Sequence, residues 1–125
     1  MVRGIGIDII EIERIRESIH RAGSRFLDKI YTPTEIAYCN AKAYRYQHYA
    51  ARFAAKEAFL KATGTGWING TAFNEIEILP DEKGKPVLNL LGETAATFQP
   101  LQIKKIFVSL SHLKSIASAV VVIEN

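Results

Sequence analysis

The sequence predicts an α+β fold, an antiparallel sheet packed with helices, one of them long and central. Two observations carry this. Up to residue 63, apolar residues recur mainly at helical spacing behind one opening strand. From residue 75 the pattern changes to short apolar runs separated by turn residues. Helices in one half and antiparallel strands in the other define the class, and leave the strand order open.

Each element has a local reason. Val2–Ile10 is isoleucine-rich and reads as a strand, with Gly4 and Gly6 inside it. Glu11 to about Arg21 reads as a helix, with Ile12, Ile15, Ile19, Ala22 and Phe26 at helical spacing and Gly23 weakening or ending it. Thr32-Pro33-Thr34-Glu35 has the form of a capping box with proline in the first turn. The longest helix is expected from about Tyr44 to Thr63, stopping at Gly64-Thr65-Gly66. Glu75–Leu79 and Pro86–Leu91 flank a hairpin signal that contains Asp81 and Gly84. Gly92–Gln99 fits a short helix. Lys105–Ser111 and Ile116–Ile123 fit a second strand pair, turning near His112–Ser115.

A chain of 125 residues points to one domain, spanning 1–125. Compactly folded, 14.0 kDa should expose about 6,700 Å². Hydrophobic residues at 48% and charged residues at 23% exclude disorder. No apolar run reaches the roughly 18 residues of a membrane span, and acids interrupt the apolar start where a signal peptide would have none. The lone Cys39 excludes an internal disulfide and fits a reducing compartment. Residues 1–62 hold eleven Lys/Arg against seven Asp/Glu, and residues 63–125 hold five against six. The basic half suggests an anionic partner: nucleic acid, a phosphorylated small molecule or an acidic protein. The hydrophobic pattern marks no separate oligomer interface.

Several residues break their local rules. Asp8 interrupts a run that is apolar on both faces, and alternation puts it with Gly4 and Gly6, opposite Ile5, Ile7 and Ile9. A carboxylate there either caps the following helix or binds something. On the long helix, Glu57 falls inside an apolar stripe of Tyr46, Tyr49, Ala50, Phe53 and Leu60. A local Glu57–Lys61 pair would satisfy it. Alternatively, Asp8 and Glu57 converge as two oxygen ligands, the usual protein share of a Mg²⁺ site. Gly64-Thr65-Gly66, just after Lys61, is either a helix C-cap or a turn whose amides meet a phosphate. Ser109, Ser111 and His112 lack the surroundings of a nucleophilic serine, and the three histidines form no zinc pattern. Arg14, Arg21 and Arg25 make an exposed basic stripe if the first helix persists, either a solvated face paired through Glu17 or a docking surface.

Three segments together resemble the motifs of holo-acyl-carrier-protein synthases. Gly4-Ile5-Gly6-Ile7-Asp8-Ile9-Ile10-Glu11-Ile12-Glu13-Arg14-Ile15 is similar to the N-terminal motif. The second motif is resembled almost position for position by Arg52-Phe53-Ala54-Ala55-Lys56-Glu57-Ala58-Phe59-Leu60-Lys61-Ala62-Thr63-Gly64-Thr65-Gly66. Ser109-Leu110-Ser111-His112 resembles the third, with a departure at Leu113, where a small or polar residue is expected. Order, spacing and length agree over essentially the whole chain.

The resemblance implies a 4′-phosphopantetheinyl transferase-like fold and a Mg²⁺-dependent reaction. In it the phosphopantetheine arm of coenzyme A passes to a serine of apo acyl carrier protein, releasing adenosine 3′,5′-bisphosphate in support of fatty acid biosynthesis. It also implies a cytoplasmic homotrimer with active sites between subunits. By the same resemblance Asp8 and Glu57 hold the metal. Lys61 steadies the leaving phosphate beside Gly64, Thr65 and Gly66, and Arg52 or His112 meets the 3′-phosphate. Glu57 or a metal-bound water takes the serine proton. Acyl carrier proteins are acidic, which suits Arg14, Arg21 and Arg25. The competing expectation is a small basic nucleic-acid-binding module, motivated by a pI near 9.1. The arginine helix lacks the aromatic stripe such modules carry, so no nucleic acid and no membrane are expected as partners.

Overall fold

The computed structural model describes all 125 residues. Strand β1 (Val2–Glu11) runs directly into α1 (Ile12–Ala22). Then follow α2 (Ser24–Ile30), α3 (Pro33–Asn40) and the nineteen-residue α4 (Arg45–Thr63). A hairpin, β2 (Ile76–Pro80) and β3 (Pro86–Leu90), precedes α5 (Gly92–Phe98) and the pair β4 (Lys105–His112) and β5 (Ile116–Glu124). The expected elements are all present, shifted by a residue or two at their ends. One division was not expected as such: Gly23, with φ 57° and ψ −132°, breaks the chain sharply, so Phe26 and Arg25 lie on a second helix.

The strands form two antiparallel sheets. One has the order β1-β5-β4, so the last strand sits in the middle; the other is the β2-β3 hairpin. Asp8 pairs with Ala119, which pairs in turn with Leu110; Ile10, Ala117 and His112 form the next such row. Along β5, Ala117, Ala119, Val121 and Ile123 are buried beneath α4, while Ser118, Val120 and Val122 point the other way and are only half-buried.

α4 lies closely on β1 because β1 has glycines where the two meet. A Cβ on Gly6 would run into the carbonyl oxygen of Ala58 and come within 2.7 Å of the Ala62 nitrogen. A Cβ on Gly4 would meet the carbonyl oxygen of Ala62. Glycine facing alanine lets the two backbones touch.

The opposite sheet face is uncovered. Ile5, Ile7 and Ile9 are 64%, 66% and 67% exposed, and Phe107 stands in the same row as Ile5 and Val122. The hydrophobic pattern of the sequence did not separate this face; the fold gathers it. The inner side of β1 is Gly-Gly-Asp, so its isoleucines belong to the outer side rather than to this chain's core. The total exposed area, 7307 Å², accordingly exceeds the roughly 6,700 Å² of a compact chain this size.

Candidate active site

The contact between the β1 glycines and α4 sets the site. Asp8 is the next residue on the face that carries Gly4 and Gly6, so its carboxylate meets α4 one turn from Ala58. There Lys61 Nζ donates to Asp8 Oδ1 at 2.9 Å and to the Ile7 carbonyl at 3.1 Å. Lys61 forms no ion pair with Glu57; the ion pairs of the chain are Glu13–Arg16, Glu35–Lys56 and Asp8–Lys61. The local pairing considered from sequence is thus replaced by one across 53 residues.

Glu57 is half-buried at the edge of α4's packed face and not at its centre, which corrects the expected stripe. The packed face runs through Ala51, Ala54, Ala55, Ala58, Phe59 and Ala62. Its markers are alanines, because close approach needs small side chains, whereas the sequence pattern gave most weight to large aromatics. The Glu57 carboxyl is held above the ordinary carboxylate range, first by burial and then by the charge of Asp8, with Lys61 acting in the opposite sense. The two acids therefore act on one another, and a single lysine leaves the trio with an excess of negative charge.

That excess and the donor chemistry fit a hard divalent cation. Two carboxylates can supply only part of a shell, and no group of three His, Cys, Asp or Glu side chains gathers anywhere in the chain. A shell of this kind is completed by ligand oxygens and water, the usual habit of Mg²⁺.

A second cluster lies across α4. A cavity of about 280 Å³ is lined by Tyr38, His48, Arg52, Pro86, Ser109 and His112, among others. Arg52 is nearly enclosed: its Nε donates to the Ile78 carbonyl at 3.0 Å, its Nη1 to the His48 carbonyl at 3.4 Å, and the guanidinium stacks 4.5 Å from the Tyr38 ring centre. Burial, then Arg52, Lys42 and His112, lower the pKa of His48. Tyr38 and His48 were not singled out from sequence; the signal available was that His48 stands one turn before Arg52. Arg52 and Glu57 are five residues apart on α4, about 140° around its axis. The cationic cavity and the acidic pair thus occupy different flanks of one helix. A separate cavity of about 750 Å³ between β3, α5 and β4 contains neither set.

The turn after α4 is a helix cap in this conformation. The Gly64 amide donates to Lys61 O, the Gly66 amide to Leu60 O, and the Thr65 amide to Thr63 Oγ1. All three amides are engaged within the chain, so the geometry does not present them as a phosphate cradle. Ser111 lies in the row of Ser118 and Ile9 on the uncovered face, and its neighbour His112 points to the other side, which removes any serine–histidine dyad.

The break at Gly23 also divides the arginine stripe. Arg14 and Arg21 are on α1 and Arg25 on α2, all exposed. Glu17 pairs with none of them. Arg14 and Arg21 border a small groove floored by Ile10, Ile15, Phe26 and Phe53, at the foot of the β1–α4 contact.

An α+β sheet-and-helix unit with an acid pair and a lysine where strand meets long helix has the make-up of a phosphoryl-group transferase. The chain belongs to the 4′-phosphopantetheinyl transferase superfamily, whose sequence profile matches residues 4–121, and it is an enzyme of that family. It is 45% identical to the holo-[acyl-carrier-protein] synthase of Solibacter usitatus over 125 residues, all of both chains. The crystal structure of the synthase from Neisseria meningitidis superposes with a TM-score of 0.91 at 34% identity, covering both chains in full. That of the Helicobacter pylori synthase in complex with coenzyme A gives 0.83 at 35% identity, over 96% of this chain and 99% of the other.

Proposed function

We propose that the protein transfers the 4′-phosphopantetheine arm of coenzyme A to a serine of apo acyl carrier protein, with Mg²⁺ held by Asp8 and Glu57. The observation that carries this is the meeting of Asp8, Glu57 and Lys61 where β1 crosses α4. The serine oxygen forms a bond to the phosphorus that carries the pantetheine. The bond from that phosphorus to the bridging diphosphate oxygen breaks, and adenosine 3′,5′-bisphosphate leaves. A divalent ion bound there would neutralise charge gathering on the diphosphate. Glu57 or a water beside it accepts the serine proton. Lys61 steadies the leaving phosphate. Gly64, Thr65 and Gly66 follow Lys61 directly as the cap of α4, their amides engaged within the chain. Arg52 and His112, with His48 beside them, receive the 3′-phosphate in the cationic cavity.

The acidic pair and the cationic cavity lie on different flanks of α4, which supports two half-sites contributed by neighbouring subunits, with the uncovered face of Ile5, Ile7 and Ile9 as the contact of a homotrimer. Arg14 and Arg21 beside the Phe26–Phe53 groove, with Arg25 exposed on α2, suit an acidic carrier protein that also offers an apolar side chain. No helix is long and apolar enough to cross a membrane, and we place the enzyme in the cytoplasm, serving lipid synthesis. Nothing in the site favours the nucleic-acid reading.

The test is to incubate the protein with coenzyme A, Mg²⁺ and apo carrier protein and to weigh the carrier. Gain of the arm's mass on one serine, lost with chelator, is expected. An unmodified carrier at high enzyme concentration overturns the proposal.

A further inference from the structure

We propose that Lys61 is an exchangeable counter-ion for Asp8, surrendered to a phosphate when a diphosphate ligand and a divalent cation bind, so that ligand and cation bind cooperatively. The inference rests on the transferase reading above and concerns how its site is loaded.

The chain offers two lysine–carboxylate pairs in its interior elements, and they differ in kind. Lys56 and Glu35 are wholly enclosed, and all three ammonium donors of Lys56 have acceptors. Lys61 is 52% exposed against 16% for Asp8, and it has two acceptors, both on β1. A half-exposed lysine on a four-carbon stem is held weakly and can change partners. Asp8 and its strand stay where the β1–α4 backbone contact puts them; Lys61 is the part free to move.

Charge counting gives the direction. Asp8 and Glu57 against Lys61 leave one negative charge in excess. A dication shared by the two acids reverses the sign and sets Lys61 beside a like charge, which repels it strongly at contact distances. Lys61 in its present place therefore opposes metal binding to the free protein. A diphosphate supplies new acceptors for Lys61 and frees Asp8 Oδ1. Each ligand then favours the other, by an equal factor in both directions.

The experiment reads metal affinity and not turnover. Mn²⁺ binding is titrated by electron paramagnetic resonance with and without coenzyme A, in the native protein, Lys61→Met and Asp8→Asn. Lysine side-chain nitrogen resonances are followed in parallel with Mg²⁺. In the absence of coenzyme A, Lys61→Met is expected to bind Mn²⁺ about tenfold more tightly than the native protein. Coenzyme A should enhance Mn²⁺ binding to the native protein far more than to the variant. One lysine resonance, absent in Lys61→Met, should shift when coenzyme A and Mg²⁺ are added together. Equal or weaker Mn²⁺ binding by free Lys61→Met, or an unmoved resonance, overturns the exchange and leaves the transferase reading standing. Mn²⁺ binding that Asp8→Asn does not reduce overturns the metal site itself, and the exchange with it.

Discussion

Lys56 Nζ lies 2.7 Å from Glu35 Oε1, and neither side chain is exposed. The pair joins more than two residues. Lys56 also donates to the carbonyls of Ile30 and Phe73, while Glu35 accepts from the amides of Thr32 and Ile78. One residue before Glu57, four main-chain groups, from residues 30–32 and 73–78, are thus tied to α4. Burial lowers the Lys56 pKa while Glu35 opposes that shift. Lys56→Met would strand the Glu35 charge in the interior and orphan two carbonyls. Removing one partner of such a pair costs about 3–5 kcal/mol, and urea unfolding of the purified variant should report a loss of that size. Unchanged stability would mean that the pair is dispensable.

Gly6→Ala should damage the site from a distance. The added carbon meets main-chain atoms of Ala58 and Ala62, which cannot rotate away as a side chain can. Relief requires α4 to move off β1, at a cost of about 1–3 kcal/mol. The same movement draws Glu57 and Lys61 away from Asp8. Transferase activity at a temperature where the variant remains folded should therefore fall at least tenfold, read as kcat beside a melting curve.

Local features were legible in the sequence and cross-chain ones were not. The Thr32–Glu35 capping box forms as read, because its partners are three residues apart. That the same Glu35 also holds Lys56 and the Ile78 amide depends on contacts 21 and 43 residues away, which no local pattern encodes. Asp8 and Glu57 stood out because each is a charge in an apolar run, and Lys61 as the lysine one turn beyond Glu57. Which of the acids takes the lysine depends on how closely strand and helix approach, and so on glycines whose purpose appears only once α4 lies on them. The uncovered isoleucine face was hidden for a related reason: one chain alone does not say which side of a sheet its own helices will cover.

Glu57→Gln should separate stability from function. The folded-state pKa of Glu57 lies above its ordinary 4.5, so folding favours the protonated acid. Its favourable contribution is full below the unfolded value and is lost as pH rises through the folded value. At neutral pH the ionised group is a burden, limited by its partial exposure to less than about 1 kcal/mol. In chelator, Glu57→Gln should melt slightly higher than the native protein at pH 7 and match it near pH 4. Transfer activity should be lost. A variant less stable at pH 7 would contradict the assigned direction.

Arg14→Glu with Arg21→Glu should act on the carrier protein alone. Both side chains are exposed at the rim of the Phe26–Phe53 groove, without carboxylate partners, so reversal leaves the core intact. The KM for the acidic carrier should rise about tenfold at low salt, with the difference narrowing as salt is added. The KM for coenzyme A should stay put. Equal shifts in both constants would move these arginines out of the docking surface.

Mixing two dead variants tests whether the half-sites lie on different chains. Asp8→Asn disables the acidic flank of α4 and leaves the cavity side whole. His112→Ala, an exposed position on β4, does the reverse. If each site takes Asp8, Glu57 and Lys61 from one subunit and Arg52 and His112 from its neighbour, a mixed assembly contains intact pairings. Random exchange between equal amounts of the two makes about a quarter of the sites whole. Activity should therefore return after the variants are unfolded together and refolded, and should not return when they are refolded apart and then combined cold. The Ile7→Glu substitution, placed on the uncovered face in both variants, should abolish the recovery along with the proposed trimer, if the pairing exists only where those faces meet. Recovery that survives Ile7→Glu would move the subunit contact elsewhere, and no recovery at all would return both half-sites to one chain.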